Sequence, residues 1–321
     1  ENFIINMEHN NKFSTEEYRR MYTVQLRSDY SKTILKSLFE EEFSIDDCLL
    51  NHKITERMRT RMIDWMIEVM TNYKCDDNGF FLAVNLMDRY FKSCQRVLQP
   101  AELHLIGVTC IFTASKYQDI YPLRLKVVYE KIAHKKLSPE EVKDRETEIY
   151  QHLNYIIGKP TQWEFINHYI EEIFYTHSNN YSVNHKTLKE YIEDQPKLGT
   201  NDVDHLEKFT PNMINLLRHV VVYLAKMNSH DYHLLSKKPS LLAASTIFVA
   251  MKICEQINKE EYVSDSFNKK LSEVSAKPEG DIIKCAQKIL YNAQNFDTIF
   301  PGLENLKKVH FNAIIELKNT K

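Results

Sequence analysis

The sequence predicts an all-α protein made of two successive five-helix sets preceded by a helix. Three observations carry this. Apolar residues recur at spacings of three and four along most of the chain, and strict two-residue alternation is rare. Glycine is scarce, six residues in all, and no two lie close enough to form a phosphate-cradling loop. One apolar segment, LIGVTCIFTASK (105–116), aligns without gaps to LLAASTIFVAMK (241–252), as an internal duplication would.

The first set begins with Arg57 to Tyr73, where Met58, Met62, Trp65, Met66 and Val69 fall on one helical face. Phe80 to Phe91 is a second helix, opened by an Asn78-Gly79 turn. Ala101 to Tyr117 is apolar on all sides and is expected to be buried, with Pro100 at its start. Leu125 to His134 is a short fourth helix. Ser138-Pro139-Glu140-Glu141 opens the fifth, which runs to about Leu153, with Ser138 as N-cap and an acidic first turn.

The pattern then restarts. Thr161 caps a helix reaching about Tyr175. Residues 177–208 are polar and read as an insertion with a short helix at His185 to Ile192. Helices follow at about Pro211–Met227, Ser240–Gln256, Ser264–Glu273 and Glu279–Asn295. The duplicated segments are the third helix of each set, and a small residue at Gly107 or Ala243 lets neighbouring helices approach.

Composition excludes several function classes. The chain has 321 residues, enough for two domains, and is 43% hydrophobic and 27% charged. Formal net charge is −2, without the basic excess of a dedicated nucleic-acid binder. No apolar run approaches the ~20 residues that span a bilayer. The opening ENFIINMEHN does not read as a basic-then-apolar leader. The six cysteines, Cys48, Cys75, Cys94, Cys110, Cys254 and Cys285, form no CxxC pair and read as reduced core thiols. That usage fits the nucleus and/or cytoplasm. The thirteen histidines show no HExxH motif, Cys/His cluster or nucleophile triad, so neither a metal nor a cofactor is expected.

Several blocks carry a specific resemblance. MRTRMIDWMIEV (58–69), AVNLMDRYF (83–91), FTASKYQDIYP (112–122), DRETEIYQHLNY (144–155) and KPT (159–161) resemble the successive helices of a cyclin box and its junction to a second box. The chain is thereby identified as similar to the cyclins, above all the mitotic A- and B-types, over about residues 29–296. The implied organisation is an N-terminal extension with a helix (1–55), a first box (56–158), a second box carrying the insertion (159–300) and a tail (301–321). The implied function is non-catalytic: a regulatory subunit that binds and allosterically activates a cyclin-dependent kinase in cell-cycle control.

In that family the third and fifth helices of the first box meet a helix of the kinase. The resemblance implies Lys116 and Glu146 as the gripping pair. Lysine offers three donors and glutamate two acceptor oxygens, and hydrogen bonds to charged groups contribute about 1.5–3 kcal/mol each. The competing reading is a surface ion pair worth about 0–1 kcal/mol. The resemblance also implies an apolar collar of Tyr117, Tyr150, Tyr155 and Ile157, with Tyr30 and Ile34 from the preceding helix, one turn apart and so on one face. Core packing is the other role open to these aromatics, Tyr155 above all.

A second implied site is a groove on the first helix for substrate or inhibitor peptides carrying Arg-x-Leu, formed by Met58, Arg61, Met62, Trp65, Glu68, Leu103 and His104. The chain departs from the family at Arg61, where an aliphatic residue is usual, and at His104, where Gln is usual. A cation in an apolar groove repels a basic peptide, so weakened or altered docking is expected. Trp65 fits either groove or core. Asp64 and Arg89 are read as a structural ion pair joining the first two helices. Two other classes stay open: a cyclin-fold scaffold that binds a partner without activating a kinase, and a DNA-binding cyclin-box factor, against which the near-neutral charge argues. No nucleic-acid or membrane partner is expected.

Overall fold

The computed structural model describes residues 30–174, 211–259 and 262–310, and among them there are helices and turns but no β-strand. The insertion at 177–208, with the helix expected at His185 to Ile192, lies outside the described residues. The chain divides into two compact units, Glu1–Glu41 and Glu42–Lys321. In the first, residues 30–41 are helical (α1).

The second unit opens its first helical set with α2 (Glu56–Asn72), whose N-cap Thr55 accepts from the Met58 amide through Oγ1 at 3.3 Å. It ends where Lys74 turns left-handed (φ 54°). Asp76 caps α3 (Asp77–Ser93) through the Asn78 amide at 2.8 Å. The helix therefore starts three residues before the expected Phe80, and Asn78-Gly79 lies inside its first turn. A 3₁₀ turn, Pro100–Glu102, leads into α4 (Leu103–Gln118). The expected short fourth helix is one α-turn, α5 (Leu125–Val127), running into a π-helical turn, Val128–Ile132. Helix α6 (Pro139–His152) has the expected cap: Ser138 Oγ accepts from the Glu141 amide at 3.1 Å, and Glu141 reaches back to the Ser138 amide at 2.6 Å.

The second set comprises α7 (Gln162–Phe174), α8 (Pro211–His230), α9 (Pro239–Asn258), α10 (Asp265–Ser275) and α11 (Glu279–Gln294), followed by the single turn α12 (Phe296–Ile299). Thr161 caps α7 as expected, accepting from the Trp163 amide, while the Glu164 carboxylate accepts from the Thr161 amide at 2.8 Å. Each set wraps around its third helix. Helix α4 packs on α2, α3 and α6, and α9 packs on α7, α8, α10 and α11. The duplicated segments lie on these two central helices. Gly107 explains one close approach: a β-carbon there would fall 2.4 Å from Met62 Sδ. By length and composition α9 passes as a membrane-crossing helix, yet Ala243, Ile247, Ala250 and Cys254 are buried among its neighbours. Five of the six cysteines are buried and Cys75 is partly so, all as free thiols.

The two sets meet along α2–α8 and α3–α7. A buried ion pair sits at that seam. Arg59 Nε and Nη2 donate to the two Asp88 oxygens at 2.7 Å each, with side chains 0% and 1% exposed. Arg59 Nη1 also donates to the Ser229 carbonyl at 3.0 Å, joining the sets directly.

The expected Asp64–Arg89 pair does not form. Asp64 instead accepts from the amides of Asn305 and Leu306 at 3.3 and 3.2 Å, capping the helical residues 305–310. Arg89 donates to the carbonyls of Ile156 and Ile157. Asp88 and Arg89 are consecutive on one helix and so point about 100° apart. Only Asp88 faces α2.

Candidate functional site

Lys116 closes the last turn of α4, and Glu146 lies on the facing side of α6. Lys116 Nζ donates to Glu146 Oε2 at 2.6 Å. The other oxygen, Oε1, accepts from Thr113 Oγ1 at 2.6 Å and from the Tyr150 hydroxyl at 3.1 Å. Burial, then the negative Glu146 beside it, pushes the Tyr150 hydroxyl up to about 12. Glu146 is thus fixed from three directions and mostly buried, while the Lys116 side chain is 38% exposed and keeps donor capacity toward solvent. A carboxylate held this firmly presents its lysine in one position.

Around the pair the surface is apolar. Tyr117 is exposed and packs over Gly158, where an added β-carbon would lie 2.5 Å from its hydroxyl oxygen. Beyond the end of α6 the chain makes two left-handed residues, Asn154 (φ 51°) and Tyr155 (φ 61°). Such a conformation at a bulky residue costs on the order of 1–3 kcal/mol and concentrates at functional sites. Here it turns Tyr155 and Ile156 outward, 68% and 49% exposed. Arg89 holds this turn in place through the Ile156 and Ile157 carbonyls. Among the described residues no carboxylate pairs with it, and burial pulls its guanidinium down to about 10.

On the other side, Ser115 Oγ donates to Asp119 at 2.6 Å and accepts from the Leu123 amide at 2.9 Å. That braced turn carries Ile120 and Tyr121, 89% and 92% exposed.

The expected site residues therefore divide as follows. Lys116, Tyr117, Glu146, Tyr150 and Tyr155 are brought together, the last two with ring centroids 6.4 Å apart. Ile157 is half-buried and contributes its carbonyl to Arg89. Tyr30 and Ile34 lie exposed on α1 in the first unit. Ile120, Tyr121 and Ile156 were missed, as were the positioning roles of Thr113 and Arg89. The YQDIYP run, with its β-branched and aromatic residues before a proline, was the signal available for the first two.

On α2, Met58 and Arg61 are exposed, and Met62 and Trp65 half-buried. His104 meets Trp65 edge-on, with centroids 5.2 Å apart. Leu103 is buried, and Glu68 accepts from Asn305 Nδ2 at 3.2 Å. One grouping was not foreseen: potential ligand atoms of Cys94, Glu148 and His152 lie within 4.8 Å of one another. Glu148 there already accepts from Tyr90 and pairs with Arg96 and Arg145, so a cation would face two guanidinium groups.

Residues 33–158 match the family described as "Cyclin, N-terminal domain", and residues 203–300 match "Cyclin, C-terminal domain". The chain belongs to the cyclin family. Similar cyclins include Cyclin-A1-4 of Oryza sativa subsp. japonica, 26% identical over 238 residues (74% of this chain, 55% of that protein). Another is the G2/mitotic-specific cyclin-B of Dictyostelium discoideum, 25% identical over 249 residues (77% and 46%). The chain spans about half the length of these curated relatives. Among solved structures, a viral cyclin from herpesvirus saimiri shares the fold with a TM-score of 0.58 at 14% identity, covering 82% of this chain and 94% of that one. The CAK complex of Chaetomium thermophilum bound to ATP-gamma-S contains a chain that matches with a TM-score of 0.50 at 11% identity, covering 96% and 90%.

Proposed function

We propose that this cyclin is a non-catalytic regulatory subunit that binds and activates a cyclin-dependent protein kinase in cell-cycle control, in the nucleus and/or cytoplasm. The supporting observation is the braced Lys116–Glu146 ion pair together with the exposed apolar side chains at the ends of the two helices that carry it: Tyr117, Ile120 and Tyr121 at the end of α4, and Tyr155 and Ile156 beyond the end of α6. Covering a large apolar side chain gains roughly 1.5–3 kcal/mol when it passes from fully exposed to fully buried, less for Tyr117 and Ile156, which are already about half covered, and the costs of association are subtracted from the sum. Lys116 then supplies donors to carbonyls at the end of a docked helix. Activation follows if the kinase conformation that fits this surface is its active one, and the shift is limited to the difference in binding energy between the two conformations.

The test is capture from native cell extract with wild-type protein and with a Lys116→Ala/Glu146→Ala variant, followed by a kinase assay on both. Kinase and activity are expected with the wild type and lost with the variant. A partner held without kinase activity by both proteins would replace activation with scaffolding.

A further inference from the structure

We propose that the cavity at the seam of the two helical sets is a binding site for a small neutral amide or alcohol with a branched apolar body. It is built from other residues than the Lys116–Glu146 surface and does not depend on kinase docking.

The cavity measures about 80 Å³ and opens to solvent. Its apolar walls come from both sets: Ile45 ahead of α2, Phe81 and Val84 on α3, Leu234 between α8 and α9, and Leu242 on α9, none more than 8% exposed. A water molecule takes about 30 Å³ in the liquid, so the space matches two or three waters or one small organic molecule.

The polar lining sets the chemistry. Asn228 on α8 is 3% exposed and lines the cavity beside Gln162, the first residue of α7. Hydrogen bonds fix which way its amide faces. Thr246 Oγ1 donates to the Leu242 carbonyl at 2.6 Å, so its hydrogen is spent and it accepts from Asn228 Nδ2 at 2.8 Å. Gln162 Nε2 donates to the Ala225 carbonyl at 2.8 Å, which leaves Gln162 Oε1 to accept from the same Asn228 nitrogen at 3.4 Å. Both neighbours therefore demand the nitrogen, and a flipped amide would set oxygen against oxygen. Asn228 Oδ1 is left as a buried acceptor to which nothing donates among the described residues. Buried acceptors of this kind are rare and call for a donor.

The charges of the lining select a neutral donor. Arg59 and Asp88 neutralise each other. Lys237 also lines the cavity, is exposed, and has no carboxylate partner among the described residues. Its ammonium disfavours an amine, and Asn228 Oδ1 disfavours a carboxylate, which can only accept. An N–H or O–H on an uncharged molecule satisfies both.

The experiment is a titration of the full chain followed by NMR of methyl groups and side-chain amides. The probes are isobutyramide, methyl isopropyl ketone and isobutyrate, which share size and branching, but only the first donates hydrogen bonds. Isobutyramide is expected to shift the Ile45, Val84, Leu234 and Leu242 methyls and the Asn228 amide saturably, with a Kd at least about tenfold lower than either of the others. Asn228→Leu should bring amide and ketone to within about twofold of each other, because the acceptor is gone. Val84→Phe, which fills the cavity, should remove binding of all three. Thermal melting of each variant confirms folding. Absence of saturable shifts at these methyls with isobutyramide overturns the proposal, as does equal affinity for amide and ketone. Those wild-type results decide it even where a variant fails to fold. An amide preference that persists in folded Asn228→Leu overturns it as well.

Discussion

Replacing Arg59 with alanine should destabilise the chain more than almost any other single change. The guanidinium is fully buried, and its loss strands the Asp88 carboxylate, 1% exposed, without a counter-charge. Burial by itself opposes charge on Arg59, yet Asp88 more than offsets this and holds the guanidinium above its ordinary value. Breaking one partner of such a pair costs about 3–5 kcal/mol. The Ser229 carbonyl loses its donor as well, adding about 1 kcal/mol. A total of about 4–6 kcal/mol is a large share of the 5–15 kcal/mol typical of a folded protein. In a chain of this size it corresponds to a drop in Tm on the order of 10 °C. Urea unfolding followed by circular dichroism measures it, with Arg61→Ala, an exposed arginine on the same helix, as the control expected to lie within about 0.5 kcal/mol of wild type. Arg59→Met combined with Asp88→Leu should recover most of the loss, because no charge remains buried. An Arg59→Ala variant within about 1 kcal/mol of wild type, or a double variant as unstable as the single one, would refute the reasoning.

Glu102 provides a pH dependence. Hydrogen bonds from Arg96, opposed by burial and aided by Arg145, lower its carboxyl from 4.5 to about 2. The folded value lies below the unfolded one, so its contribution is complete above about pH 4.5 and is lost as pH falls toward 2. Glu102→Gln should therefore flatten the acid limb of urea midpoints measured across that window, and an unaltered limb would count against it. Arg89→Lys should leave the fold intact but weaken kinase capture about tenfold, since one ammonium cannot hold both the Ile156 and Ile157 carbonyls as a planar fork does; unchanged capture would show that the 154–158 turn holds itself. Asp64→Ala should speed hydrogen exchange at the Leu306 amide about tenfold, the equivalent of a hydrogen bond worth 1–2 kcal/mol, and NMR reads it directly.

Helical periodicity made the fold legible. The capped starts at Ser138 and Thr161 were readable to the residue, because a cap is a local chemical signal. The start of α3 was not, because Asp76 and Asn78-Gly79 are both turn formers, and only the Asp76 carboxylate on the Asn78 amide decides between them. The short fourth helix was legible, but not its change from an α turn to a π turn at Val128, since both kinds of turn use the same apolar residues. Pairing across helices was harder still. Arg59, Asp64, Asp88 and Arg89 permit several pairings of opposite charge, and the choice depends on how α2 and α3 are rotated about their axes. The Lys116–Glu146 pair was legible only through the family resemblance. Its surroundings were partly hidden, because Asn154 and Tyr155 adopt left-handed backbone without the glycine that usually signals it. The duplicated segments also part company here: Lys252, the counterpart of Lys116, pairs with Glu255 on its own helix at 2.9 Å rather than with a neighbouring helix.

The most direct test of the central claim is a hydrogen-exchange footprint of the chain alone and in complex with the captured kinase. Protection is predicted at residues 113–121 and 146–158, with little change along α9 or α11. Strong binding that leaves both segments unprotected and protects another face would contradict the assignment of this surface to the kinase.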